Sequence, residues 1–201
     1  VFITKVDAMS RRLFMLTLAC LTAAPLMAAD RAAEQAVWSA LKSGGHVALL
    51  RHALTDPGIG DPPNFKLGDC GTQRNLSTKG RADAQRIGKA FRDRGIPVED
   101  VLSSRWCRCI DTAQLAFGRV KPAAMLDSIF NDPERRRKEK TQAVFASLAG
   151  RKSPGNLILV THAQNIQALT GVSPSPGELI VVGLTSPDSF QVIGRLEVQG
   201  D

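Results

Sequence analysis

The chain has 201 residues, 43% of them hydrophobic and 22% charged, with a formal net charge of +7. That length and apolar content fit one globular domain with an ordinary core, and the positive balance suits anionic ligands. Nucleic acid is set aside as a partner, because no lysine-arginine stripe interleaved with aromatics and no recognised nucleic-acid motif is present.

Met9 reads as a start, with residues 1–8 upstream of it. Ser10-Arg11-Arg12 is a basic opening, Leu13 to Leu26 an apolar run, and Met27-Ala28-Ala29-Asp30 places small residues before a polar one. These are the parts of a secretory signal peptide cleaved near Ala28 or Ala29. The run falls short of the roughly 18 to 20 apolar residues that span a bilayer, and Thr17-Leu18-Ala19-Cys20 lacks the leucine that a lipoprotein signal carries three residues before its cysteine. A mature chain of residues 30–201 is therefore expected to be exported, periplasmic or secreted, with no membrane association after cleavage. Export favours disulfides. Beyond Cys20 the chain has Cys70, Cys107 and Cys109, which predicts one disulfide from Cys70 to either Cys107 or Cys109 and one thiol left over. Cys107-Arg108-Cys109 is too tightly spaced for zinc, and no metal site is expected.

Residues 31–42 have helical composition, with Ala33, Val37 and Leu41 on one face, and Ser43-Gly44-Gly45 stops them. The apolar run Val47 to Leu50 has the length of a buried strand and ends abruptly in Arg51-His52. Leu54 to Asn75 is a long loop punctuated by Asp56-Pro57-Gly58, Gly60-Asp61-Pro62-Pro63 and Gly68-Asp69-Cys70-Gly71. Ser77 is a plausible N-cap for a helix whose Ala84, Ile87, Gly88 and Phe91 face the core, with Gly95 ending it. Pro97 to Ser104 reads as a turn into a second strand and Trp106 to Phe117 as a helix. Met125 to Phe130 is a short strand or extended segment, Asn131 to Glu134 a turn, and Arg135 to Leu148 a helix whose Arg135-Arg136-Arg137-Lys138 opening could grip an anionic partner but reads first as a solvated face. Leu157 to His162 repeats the buried-strand pattern, a short helix covers Gln164 to Leu169, and Glu178 to Gly183 and Ser189 to Val198 are two last strands. The alternation predicts an α/β fold, a mostly parallel central sheet flanked by helices on both faces.

Two buried strands, far apart in sequence, each end in a histidine, and in a parallel sheet both ends lie on the edge where ligands bind. Arg51-His52-Ala53, Ser103-Ser104 through Arg108 to Thr112-Ala113, and Thr161-His162-Ala163 stand in the order of the motifs of the histidine phosphatase superfamily, which this chain resembles from about residue 45 to 183. The resemblance implies a phosphoglycerate mutase-like fold and a phosphatase in which His52 takes the phosphoryl group and water then hydrolyses the phosphohistidine. Arg51, Arg108 and His162 would surround the phosphoryl oxygens, and Arg74 and Ala163 would bind phosphate or substrate. Neutral imidazole is a capable nucleophile, and forked guanidinium groups suit phosphoryl oxygens better than lysine does. Neither metal nor any other cofactor is called for. The partner would be a phosphorylated small molecule or a phosphoprotein.

The chain departs from the family in two places. Ala53 replaces a glycine, which adds a methyl at the pocket floor, and Arg105 stands where proline is common and is expected to lie exposed. A general acid for the leaving oxygen has three candidates, Asp132, Glu134 and Glu178. With no acid, good leaving groups such as phosphohistidine or acyl phosphate would be preferred, and the alternative reading, motivated by the acid and by Ala53, is a catalytically impaired phosphate-ligand binding or sensing domain.

Overall fold

The computed structural model describes residues 29–198. The described residues divide into two units, 29–36 and 37–198. The first is helical and exposed. The targeting segment and Cys20 lie outside the described residues, and among those described no helix is long and apolar enough to cross a membrane.

Six strands form one sheet in the order β3-β2-β4-β1-β5-β6, with β1 Val47–Arg51, β2 Val98–Ser103, β3 Lys121–Pro122, β4 Asn156–Thr161, β5 Leu179–Ser186 and β6 Ser189–Leu196. β3, β2, β4 and β1 run parallel, whereas β5 lies antiparallel to β1 and β6 antiparallel to β5. The uninterrupted apolar runs of β1 and β4 follow from their central position, where both faces are covered. Ala48, Leu50, Ile158 and Val160 pack on one face with Val37, Trp38 and Leu41 of helix α1 (29–43), and with α2 (Thr78–Asp93) and α3 (Cys107–Phe117). Val47, Leu49, Leu157 and Leu159 pack on the other face with α4 (Glu134–Leu148) and α5 (Ala163–Thr170).

Local sequence explains these boundaries. Ser77 Oγ accepts the Gly80 amide at 3.1 Å and caps α2. Gly88 lets α2 and α3 touch backbone to backbone, since a β-carbon there would lie 1.9 Å from the Ala116 carbonyl oxygen. The stretch from Met125 to Phe130 is not a strand, although its backbone is extended at Asp127. The short edge strand comes earlier, and Ala124–Leu126 forms a 3-10 turn. Its Leu126 carbonyl accepts Thr161 Oγ1 at 2.6 Å, and Asp127 turns inward, so side-chain bonds replace a ladder there. Between β1 and α2 the long loop carries its own order. Its Cys70–Thr72 3-10 turn is capped by Asp69, its start and end pair through Thr55 and Leu76, and Cys70 is disulfide-bonded to Cys107 at the start of α3.

Candidate active site

Arg51 pairs with Thr161 across parallel β1 and β4, so the residue after each strand, His52 and His162, emerges at the same edge of the sheet. Their ring centroids are 5.4 Å apart and the planes meet at 69°. β2 ends beside Val160, and the chain then turns through Ser104 into α3, whose first turn presents Arg108. Arg51, His52, Arg74, Arg108, His162 and Ala163 all line one cavity of about 540 Å³. The structure thus brings these six positions together at one cavity.

The nucleophile candidate has a fixed tautomer. His52 Nδ1 lies 2.9 Å from the Ala53 carbonyl oxygen, which can only accept, so Nδ1 carries the proton and Nε2 keeps its lone pair. Burial, with the positive charge of Arg108, Arg51 and Arg74 nearby, lowers the His52 pKa from 6.5 to about 3. Burial and the neighbouring His52 also push His162 well below its ordinary value. Both rings are thus neutral near pH 7. His162 Nε2 meets Ser104 Oγ at 2.9 Å, and Ser104 Oγ lies 3.5 Å from the buried carboxylate of Asp127.

Arg105 lies exposed as expected, and it also has a partner. Its amide and guanidinium all bond Asp127, so it neutralises the carboxylate behind Ser104 and holds that chain of polar groups in place. Ala53 is also placed differently from expectation. It is fully buried against Leu76 and Ala84, so its methyl belongs to the core and not to the pocket floor. Its amide donates to Thr112 Oγ1 at 3.0 Å, while that hydroxyl donates to the Arg108 carbonyl at 2.7 Å. One threonine therefore ties the nucleophile's strand to the helix turn that carries Arg108.

The acid candidates are separated by the fold. Asp132 lines the cavity but is held by Lys140 Nζ at 2.6 Å, with Arg136 beside it. Glu134 lines a different pocket on α4. Glu178, contrary to expectation, does not face the cavity: it is buried, absent from the cavity wall, and locked to Arg195 by bonds of 2.6 and 2.9 Å. Burial opposes its charge, but Arg195 and the Ser175 amide prevail and hold its pKa below the ordinary value. Of the disulfide alternatives, Cys70 bonds Cys107, with Cα atoms 5.6 Å apart, and Cys109 is the buried free thiol.

Sequence reasoning missed Asp61. Its carboxylate accepts Arg108 Nη1 at 2.7 Å, Arg108 Nη2 at 3.2 Å, Trp106 Nε1 at 2.9 Å and the Arg74 amide at 3.0 Å. Burial favours the neutral acid, yet these donors outweigh it and lower the pKa. The Gly60-Asp61-Pro62-Pro63 context signals only a turn. Arg74 itself donates Nε to the Gly60 carbonyl at 2.8 Å and binds Thr55, so it knits the loop as well as facing the cavity. Buried and without a protein partner are Nε of Arg51 and Nε of Arg108, two donors that an anion could use.

No curated protein matches the chain. Among solved structures, the protein histidine phosphatase SixA complexed with tungstate matches with a TM-score of 0.55 at 12% identity, covering 76% of this chain and 96% of that one. YhfR of Bacillus stearothermophilus matches at 0.54 and 16%, covering 73% and 94%, and TTHB049 of Thermus thermophilus at 0.50 and 20%, covering 75% and 98%. At these identities the likeness is one of fold, the phosphoglycerate mutase-like α/β arrangement. The model of the histidine phosphatase superfamily (branch 1) matches residues 47–132, a stretch that holds Arg51, His52 and Arg108. Over that stretch the chain is similar to the histidine phosphatase superfamily, and over most of its length it shares the fold of the structures above.

Proposed function

We propose that the protein is an exported phosphatase that hydrolyses a phosphomonoester or a phosphohistidine through a phosphohistidine formed on His52. The observation that carries this reading is the state of His52: its Nδ1 proton is tied to Ala53, so the Nε2 lone pair is left in a cavity shared with Arg51, Arg108 and His162. In the first step Nε2 bonds phosphorus and the leaving oxygen departs. In the second, water attacks phosphorus and His52 is released. Phosphoryl transfer rewards positive charge around the three equatorial oxygens, and guanidinium groups supply here the charge that a metal ion supplies elsewhere. What supports export is the targeting pattern over residues 9–29, together with a disulfide of the kind that persists in oxidising compartments. A phosphoprotein substrate draws support from the fold shared with SixA, a protein histidine phosphatase.

A second reading, a phosphate-sensing domain without turnover, is favoured by one observation: Asp61 already occupies the Arg108 fork. Hydrolysis of p-nitrophenyl phosphate by wild type and His52→Ala separates the two. Turnover lost on substitution, with a radiolabelled phosphoryl group trapped on wild type at acid-quench, supports the phosphatase. Turnover that survives the substitution unchanged refutes the nucleophile, and phosphate binding with no turnover in either protein favours the sensor.

A further inference from the structure

An alkoxide leaves phosphorus readily only if a proton reaches it, and the carboxylates nominated from sequence do not serve: Glu134 and Glu178 lie off the cavity and Asp132 is bound to Lys140. Asp61 differs in position. His52, 5% exposed, and the loop from Gly58 to Pro63, whose Ile59 is 93% exposed, line the same cavity. Of the two carboxylates that line that cavity, Asp61 and Asp132, Asp61 is the one whose cation, Arg108, is itself placed to hold phosphate, and its side chain is 8% exposed.

We propose that Asp61 is the acid that protonates the leaving oxygen, an assignment that rests on the phosphatase reading above. At rest its carboxylate fills the Arg108 fork, the place best suited to two phosphoryl oxygens. An arriving phosphate ester takes that fork. Asp61 then keeps the Trp106 and Arg74 N–H groups but loses its cation and faces an anion, which raises its proton affinity. A substrate entering as the monoanion brings the proton that Asp61 then holds. As the His52 Nε2–phosphorus bond forms and the bond to the leaving oxygen breaks, the electron pair goes to that oxygen, which takes the proton from Asp61 and departs as an alcohol. In the second step Asp61 accepts a proton from the attacking water, the phosphorus–nitrogen bond breaks with its pair returning to His52, and inorganic phosphate leaves. Asp61 is thus both the resting plug of the phosphate site and, once displaced, its acid.

The test is kcat/KM across a series of monoesters running from p-nitrophenyl phosphate to a simple alkyl phosphate, for wild type, Asp61→Asn and Asp132→Asn. The expected result for Asp61→Asn is a loss that grows along the series, from under about threefold on the aryl ester to about 100-fold or more on the alkyl ester. A loss equal on all substrates overturns the proposal in favour of a positioning role on Arg108, and a uniform gain overturns it in favour of a mere competitor for phosphate. A graded loss in Asp132→Asn but not in Asp61→Asn overturns it as well. Should Asp61→Asn fail to fold, wild type and Asp132→Asn decide: a shallow dependence on leaving-group acidity that persists in Asp132→Asn supports Asp61, and a steep dependence in wild type, or one that turns steep in Asp132→Asn, overturns it. Wild type inert even toward p-nitrophenyl phosphate removes the phosphatase reading itself, a result distinct from all of these.

Discussion

The cavity is built from two halves that are held by different physics. His52 and His162 stand one residue beyond central strands whose neighbours are buried on both faces, so their separation is set by sheet register and moves only if the core moves. Asp61 and Arg74 stand on a loop of more than a dozen residues, held by side-chain hydrogen bonds, the stacking of Phe65 on Trp106 at 5.6 Å, and one disulfide to α3. The first half is rigid without special devices. The second is rigid only because several specific contacts agree, and its central ion pair is one that a ligand can exchange.

This contrast can be broken from either side. The largest effect is expected from His52→Ala, a loss of at least about 10³-fold in kcat on p-nitrophenyl phosphate with the fold intact by circular dichroism. Next is Arg108→Lys, where a point charge replaces a fork, with kcat/KM lower on the order of 100-fold. On the loop side, replacing Cys70 and Cys107 together by serine frees the loop from α3. Unfolding in urea should show a loss of about 2–4 kcal/mol, and KM should rise more than kcat falls because the loop half no longer holds its place. Thr112→Val leaves the Ala53 amide buried without an acceptor, and a loss of about 1–3 kcal/mol in the same measurement checks it. A further effect is one of pH. His52 takes a proton near pH 6.5 when unfolded and only near 3 when folded, so between these values the unfolded chain binds more protons. Stability should therefore fall as pH is lowered from about 6.5 toward 3, with a shallower slope in His52→Asn. Thermal melts across that range measure it.

The rigid half is also the half that is legible in the sequence. Val47 to Leu50 and Leu157 to Val160 are continuous apolar runs that admit few alternatives, and a charged or imidazole side chain at the end of each points to a sheet edge. Arg108 is legible the same way, one turn into the next helix. The antiparallel β5 and β6 can be read as strands but not in direction, because an apolar run carries no arrow. Asp61 is invisible for a different reason. Asp in a Gly-Asp-Pro-Pro context is a good turn former, and nothing local reveals that its carboxylate reaches Arg108 across 47 positions. Asp127, which backs Ser104 and His162, is hidden likewise in a segment that has turn bonds where an extended run is expected.

Cys109 lies at the seam of the rigid half, its Sγ 3.6 Å from His162 Nε2 and 3.8 Å from the Thr161 carbonyl. Burial raises its pKa to about 12, so alkylating reagents find almost no thiolate and no path to it while α3 stays seated on β4. Its rate of modification by iodoacetamide is accordingly a native clock for the breathing of the catalytic core, and occupancy of the neighbouring anion site should slow that clock without any probe having to be introduced.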